Sequence, residues 1–409
     1  MNVVYHFRVR GNGAEAVHIA GIAGGFQQLG HRVRFVSPSG VDPIEVVRRS
    51  QSAATRPAGA AVRALHALAD RAPQLAFECL EVGYNAIAIP RLLAVVRRLQ
   101  PELIYERHAF FNVAGAVAAE RTGTPLVVEV NELAGYERVR DQKLVALAKD
   151  AERYVFERAR LIVTVSDFLT ERVKAAVGGR VPVATIPNGV TRDWLAADTP
   201  EGDREILRRS LGLSDRRVVC FVGHLSHWHD FPRLLQTLKE VRAAVPNAVL
   251  LLVGEGRERA AILEQARELG LGDAVQLVGA VPHGQVRRYI EIADAAVIPH
   301  SNQYRSPIKM FEYMGAGKPV VAPGTPPIRS VIEHARDGLL FHPGGAGFSE
   351  ALTAALSDPE RARALGRAAR EKIAQRYTWD AHARQILELA VPALRAPRAR
   401  FSPEPQAAG

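Results

Sequence analysis

The residues best suited to chemistry sit in one run, Ser306-Pro-Ile-Lys-Met-Phe-Glu-Tyr-Met-Gly-Ala-Gly-Lys-Pro-Val-Val-Ala322. The pattern predicts a polar loop, a short helix from about Ile308, a stop at Gly315 and Gly317, and a buried strand beginning at Pro319. A loop feeding a helix N-terminus presents unpaired backbone N–H groups and a partial positive charge, which suit a phosphate or diphosphate. Lys309 in the first turn runs against the dipole preference, and an anion beside it accounts for that. Glu312, one turn on, shares its helix face and can accept hydrogen bonds from sugar or ribose hydroxyls. The alternative is an ordinary buried helix with a solvated Lys–Glu pair.

Other candidates fall where strands should end. Gly11-Asn-Gly13-Ala-Glu15-Ala16 follows the first strand and loosely fits the dinucleotide-binding G-x-G-x-x-A. Arg8-Val9-Arg10 separates strand from glycines, however, and no acidic residue closes the second strand at Phe35-Val36-Ser37 to hold a ribose. A glycine loop admitting a sugar or phosphate to a helix N-terminus fits better than a nicotinamide site. His224, His227 and His229 with Asp230 raise a metal site, but the spacing is loop-like, without a Cys or an i, i+4 His pair. Their expected role is to donate hydrogen bonds to a ligand at the carboxyl edge of a parallel sheet. Glu255 lies in a tight Val253-Gly-Glu-Gly256 turn, Val281 follows a strand whose backbone could pair with a base edge, and Arg107-His108 ends a first-domain strand.

These residues need a frame, and the chain supplies one twice. Short apolar runs (Val3–Phe7, Val33–Val36, Leu103–Tyr105, Leu126–Val130, Ile162–Val165, Val183–Ile186) alternate with amphipathic stretches such as Ala14–Leu29, Ile87–Leu99, Val113–Glu120 and Leu144–Arg158. A second series runs Val218–Val222, Val249–Val253, Val275–Val278, Ala295–Ile298 and Pro319–Val321. Such alternation means βαβ units, hence an α/β chain of two facing Rossmann-like domains with parallel sheets. The expected division is 1–190, a linker at 191–216 around the turn-rich Asp198–Asp203, 217–376, a last helix at 377–395, and a disordered tail at 396–409.

Length and composition agree with two globular domains: 409 residues, 47% hydrophobic and 23% charged. Cys79 and Cys220 make no disulfide framework, so a reducing, cytoplasmic setting is expected. No signal-peptide layout is present, and the best apolar window, Ala86–Val96, is read as too short to span a membrane and broken at Pro90-Arg91. The net charge of +10 comes from scattered basic residues without aromatic interleaving, which argues against nucleic acid. It is compatible with anionic small molecules and with peripheral contact at an anionic membrane, for which Arg56–Arg71 is the candidate.

Taken in order, the Gly11–Glu15 loop, Val165-Ser166, Ile186-Pro-Asn-Gly-Val190, Phe221-Val-Gly223, Val253-Gly-Glu-Gly256, Gly279, Ala293-Asp-Ala295, Phe311–Ala322 and Asp337-Gly-Leu-Leu340 resemble glycosyltransferase family 4. The resemblance implies the GT-B fold, with an N-terminal acceptor domain, a C-terminal donor domain and a last helix crossing back. It implies retaining transfer of a sugar from a UDP- or GDP-linked donor to a carbohydrate, lipid-linked or small-molecule acceptor, with no cofactor or metal required. Carried over by position, His108 and Lys309 fall at the reacting centre, and Gly13, Gly223, His224, His229, Glu255, Val281, Ser306, Pro307, Ile308 and Glu312 on the donor. Glu15, Arg107 and Asn131 fall to the acceptor side.

Three departures stand out. Tyr304 replaces the first of the family's paired glutamates, and His224 and His229 stand where an Arg and a Lys are usual. Lys309 is expected to replace one of those cations. The departures leave room for a catalytically weak sugar-nucleotide-binding protein of the same fold; a nucleotide-sugar epimerase is the other alternative.

Overall fold

The computed structural model describes residues 1–9, 14–51, 74–136, 142–196 and 198–395. Gly13 with its loop, Arg56–Arg71 and the tail lie outside the described residues.

Two six-stranded sheets, every neighbouring pair parallel, carry the chain. The first runs β1 (Asn2–His6), β2 (Arg32–Val36), β3 (Leu103–Arg107), β4 (Leu126–Val130), β5 (Leu161–Thr164) and β6 (Val183–Thr185), in the order β2-β1-β3-β4-β5-β6. The second runs β7 (Arg217–Val222), β8 (Ala248–Val253), β9 (Val275–Gly279), β10 (Ala295–Val297), β11 (Val320–Pro323) and β12 (Leu339–Phe341), in the order β12-β11-β10-β7-β8-β9. Sheets covered by helices on both faces need strands apolar on both faces, which is why these strands read as continuous hydrophobic runs. In β7, Val218, Cys220 and Val222 enter one core while Val219 and Phe221 enter the other. In β4, Leu126, Val128 and Val130 face one side and Val127 the opposite one.

The order of strands reverses between β1 and β3 in one sheet and between β7 and β10 in the other. At such a reversal the loops leaving the carboxyl ends diverge and open a crevice. The segment read as a linker is largely helical, at Arg192–Ala196 and Glu201–Ser210. Asp198 is anchored there by Arg287 and Arg370.

The last helix, Trp379–Arg395, crosses back onto the first domain. Trp379 stacks on His18 with ring centroids 5.3 Å apart, and Ala383, Ile386 and Ala390 join the core around Tyr5 and Phe26. Helix Ala14–Gln28 admits this crossing because it carries Gly21 and Gly25 at the contact. A Cβ at Gly21 would collide with the Trp379 indole, and one at Gly25 with the Trp379 carbonyl oxygen.

One sequence expectation is corrected. Pro90 does not end its helix: Gln74–Gly83 and Asn85–Leu99 follow one another with only Tyr84 between them. Together they make a run of 26 residues that is long and apolar enough to cross a membrane, and 28% of its most apolar stretch is buried. Ala88, Leu92, Leu93 and Val96 pack into the first domain, whereas Leu75, Leu80, Val82 and Ile87 are exposed.

Because the obstacle at Gly25 is backbone rather than a mobile side chain, Gly25→Ala should lower stability by about 2 kcal/mol despite alanine's better helix propensity. Urea unfolding measures this, and an unchanged or raised midpoint would show that the crossing helix is not packed this tightly.

Candidate active site

The two crevices meet in one cleft of about 550 Å³, within the range usual for small-molecule sites. Its C-terminal wall is built from the loops after β7 and β10. Beyond β7 the chain turns at Gly223 (φ 141°), passes through a 3₁₀ turn at His227–His229, and enters helix Phe231–Ala244. Asp230 caps that helix by accepting a hydrogen bond from the Arg233 N–H (3.3 Å). After β10, Asn302 Oδ1 accepts from the backbone N–H of Tyr304 (3.3 Å) and Arg305 (2.9 Å), folding the loop that leads to Pro307 and helix Ile308–Gly315.

The first domain holds this loop in place. Ser166 Oγ donates to the Tyr304 carbonyl (2.8 Å), and Asn188 Nδ2 donates to the Ser306 carbonyl (2.7 Å). Tyr304, where the family's glutamate would stand, is buried against the first domain's core beside Phe168. Burial raises its hydroxyl pKa above the ordinary value. It therefore acts as an interdomain wedge.

Lys309 is half-buried as a residue but its amine is buried, with Nζ 3.9 Å from the centroid of the Phe221 ring. It has no hydrogen-bond partner among the described residues. Burial drives its pKa down to about 7, although Glu312 and Cys220 pull the other way. Gly223 permits this position, since a Cβ there would lie 2.7 Å from the amine. His229 packs edge-on to Phe221, and burial together with Lys309, Arg305, His300 and His224 pushes its pKa to about 2. It can offer a hydrogen bond but no charge.

Glu312 Oε1 pairs with His283 Nε2 (2.8 Å), and His283 stacks on Trp194. Burial alone would lower the His283 pKa, but the Glu312 hydrogen bond and charge raise it above the ordinary value.

The opposite wall centres on Glu129, a fully buried residue of β4. It accepts from Arg107 (3.0 Å), from Asn131, and from the hydroxyls of Tyr5 (3.3 Å) and Tyr105 (3.1 Å). His18 Nε2 lies 3.0 Å from it. Burial would raise the Glu129 pKa, but His18, Arg107 and Asn131 together hold it well below the ordinary carboxylate range. Arg107 is thereby fixed at the cleft surface. His108, also buried, sits 3.2 Å from Glu152 through Nε2 while its Nδ1 is unpaired among the described residues.

The cleft thus gathers Glu15, Arg107, His108, Asn131, Gly223, His229, Ser306, Pro307, Ile308, Lys309 and Glu312 from the sequence candidates. Three lie elsewhere. His224 is exposed and outside the lining, Glu255 is exposed and paired with Arg259 (2.9 Å), and Val281 packs on the second domain's core. His227 of the histidine cluster lines the cleft as well, whereas sequence reasoning missed His18, Glu132, Trp228, His283 and His300 as cleft residues. Glu132, His283 and His300 follow β4, β9 and β10 within a few residues, so the rule of strand carboxyl ends could have found them; His18 sits inside helix Ala14–Gln28 and carries no such signal. Among the described residues no three His, Cys, Asp or Glu side chains gather with metal-binding geometry.

Comparison with known proteins completes the assignment. The description "Glycosyltransferase Family 4" matches residues 12–194, and "Glycosyl transferases group 1" matches residues 203–372. The chain belongs to glycosyltransferase family 4. Its relatives include the 2-deoxystreptamine N-acetyl-D-glucosaminyltransferase of Streptomyces fradiae, 28% identical over 73% of this chain and 74% of that one. The 2-deoxystreptamine glucosyltransferase of Streptomyces kanamyceticus is 27% identical over 73% and 79%. Among solved structures, Anabaena Alr3699/HepE in complex with UDP-glucose has the same fold, with a TM-score of 0.69 at 19% identity over 96% of this chain and all of that one. The family 4 chain is therefore a GT-B glycosyltransferase.

Glu129 is where this wall can be tested. Glu129→Gln removes the buried charge that faces half-buried Arg107 and should cost roughly 3 kcal/mol of stability at neutral pH. The native pair's contribution is complete above the ordinary carboxylate value of 4.5 and is lost as pH falls below it, so wild type and variant should converge in acid. Parallel, non-converging unfolding curves between pH 7 and 3 would contradict the assignment.

Proposed function

We propose that the chain transfers a hexosyl group from a nucleoside-diphosphate sugar to an acceptor hydroxyl with retention, in the assembly of a cell-envelope polysaccharide or glycoconjugate. One observation carries the reading. Lys309 Nζ, Ser306 Oγ, His229 Nδ1, Asn188 Oδ1 and His108 Nδ1 are buried, lack hydrogen-bond partners among the described residues, and all belong to residues of this one cleft. Native interiors leave few such atoms unpaired, so their concentration points to a polar ligand that completes them. Likeness to a protein crystallised with UDP-glucose supports UDP as the nucleotide.

In this reading the diphosphate lies over the N-terminal turn of helix Ile308–Gly315, with the Lys309 ammonium beneath and the His229 N–H beside it. Glu312, steadied by His283, faces the ribose, and His108 faces the sugar. The anomeric carbon–oxygen bond to the phosphate breaks as the acceptor oxygen adds from the same side. The acceptor's proton passes to the departing phosphate oxygen. Donors fixed in advance around the growing negative charge lower the barrier most. Because the loop carrying Ser306 is bonded to Asn188, the two walls are held together around the donor, which limits its hydrolysis.

The exposed Leu75, Leu80, Val82 and Ile87, with a net charge of +10, support peripheral contact at an anionic membrane and a lipid-linked acceptor. Co-sedimentation with phosphatidylglycerol vesicles, but not with phosphatidylcholine vesicles, is the expected result; equal recovery from both would remove membrane contact from the reading.

Titration calorimetry with UDP-glucose tests the site itself. Free Lys309 loses its proton near pH 7, and a diphosphate above it raises that pKa, so binding takes up a proton above pH 7. Affinity should weaken by up to about tenfold per pH unit above 7 until the bound-state pKa is reached. Lys309→Met should abolish this slope and weaken binding about 30-fold at pH 7, as expected for one charge-assisted hydrogen bond. Absence of UDP-glucose binding, or unaltered affinity and slope in the variant, would overturn the proposal.

A further inference from the structure

A second groove, of about 650 Å³, opens beside the cleft and shares with it His300–Asn302 and Tyr304. Its first-domain wall is aromatic. Tyr136 and Phe168 meet edge to face at 5.6 Å, and the Arg172 guanidinium braces both, lying 3.4 Å from the Phe168 ring centroid and donating to the Tyr136 hydroxyl (3.1 Å). The opposite wall belongs to the second domain, at the ends of β11 and β12, and includes Thr325 and Arg329. Thr325 is only 3% exposed, and its Oγ1 has no hydrogen-bond partner among the described residues. Among the described residues no Asp or Glu lines the groove, whereas Arg329 and the imidazoles of His300 and His342 do.

Resting on the glycosyl-transfer reading, we infer that this groove is an acceptor subsite holding the non-reacting residues of a neutral or acidic oligosaccharide. Aromatic rings offer the flat apolar surface on which the C–H face of a pyranose packs, and a buried unpaired hydroxyl offers a partner for a sugar hydroxyl. The groove joins the donor cleft at the loop that opens helix Ile308–Gly315, so a chain with its terminal residue at the reacting centre can continue into it. The charge of the lining decides the class of acceptor. The guanidinium of the described lining, with no carboxylate among the described residues beside it, disfavours the ammonium groups of an aminocyclitol and favours neutral sugars or uronates.

The experiment is a glycan array probed with the full-length, UDP-loaded chain, alongside Tyr136→Ser and Thr325→Val. Tyr136 is 38% exposed and Thr325→Val keeps the side chain's shape, so both variants should fold. The wild type should retain neutral or uronate-bearing oligosaccharides of three or more residues in preference to monosaccharides. Tyr136→Ser should weaken that retention about tenfold and Thr325→Val about fivefold, with UDP-glucose affinity unchanged in both. No retained oligosaccharide, equal retention by both variants, or preferred capture of 2-deoxystreptamine glycosides would overturn the subsite while leaving the donor cleft standing. Failure of the wild type to bind UDP-glucose would instead remove the transfer reading and this inference with it.

Discussion

A primary amine buried without a counter-ion is the constraint around which this molecule is arranged. Lys309 lies against the Phe221 ring with no hydrogen bond to its Nζ among the described residues, and Glu312 and Cys220 only partly offset the cost of burial. Left alone, such a group gives up its proton near neutrality. A ligand bearing two phosphoryl charges reverses that preference by restoring the lost solvation with fixed oxygens. The surroundings follow from keeping this amine dry yet reachable. Gly223 leaves out the side chain that would cover it, and Phe221 supplies a ring face in place of water.

Holding that arrangement requires both domains. The loop from Asn302 to Pro307 belongs to the second sheet, but its carbonyls at Tyr304 and Ser306 are held by Ser166 and Asn188 of the first domain. Tyr304 adds apolar burial to those two bonds. A glutamate at this position would bring a charge into the same apolar contact, so the substitution exchanges a polar group for a wedge between the domains. The last helix acts at the other end, passing Trp379 over Gly21 and Gly25 and so tying the chain's end to helix Ala14–Gln28.

Much of this was legible in the chain because parallel sheets write themselves as uninterrupted apolar runs. Eleven of the strands fall where such runs do, whereas β12, Leu339–Phe341, enters the sequence reading only as part of the Asp337-Gly-Leu-Leu340 motif and not as a strand. Pro90 misled, because an interior proline signals a break only when packing does not hold the helix on both sides, and Leu92, Leu93 and Val96 anchor it here. Candidates at strand ends, such as His108 and Gly223, were readable from topology alone. Glu129 was not. It lies inside the strand run Leu-Val-Val-Glu-Val, and only the fold reveals that Arg107, Asn131 and two tyrosine hydroxyls converge on its carboxylate.

The charges explain why a chain with histidines at two expected cation positions still builds an anion site. A fixed Arg at the position of His224 would contribute its charge at every pH, but His224 is exposed and is not part of the cleft lining. His229, packed against Phe221 and within electrostatic reach of Lys309, is held neutral, so placing a second cation there would only raise the cost of charging the first. The neutral ring instead contributes a hydrogen bond at no electrostatic penalty to Lys309. Charge is thus concentrated in one ammonium close to a helix N-terminus, with Arg107 and Arg305 at the cleft's margins. A single titratable cation makes grip on the anion depend on pH, where two guanidiniums would not. On the transfer reading proposed above, it would also ease release of a spent diphosphate, since the amine can lose its proton as the ligand leaves.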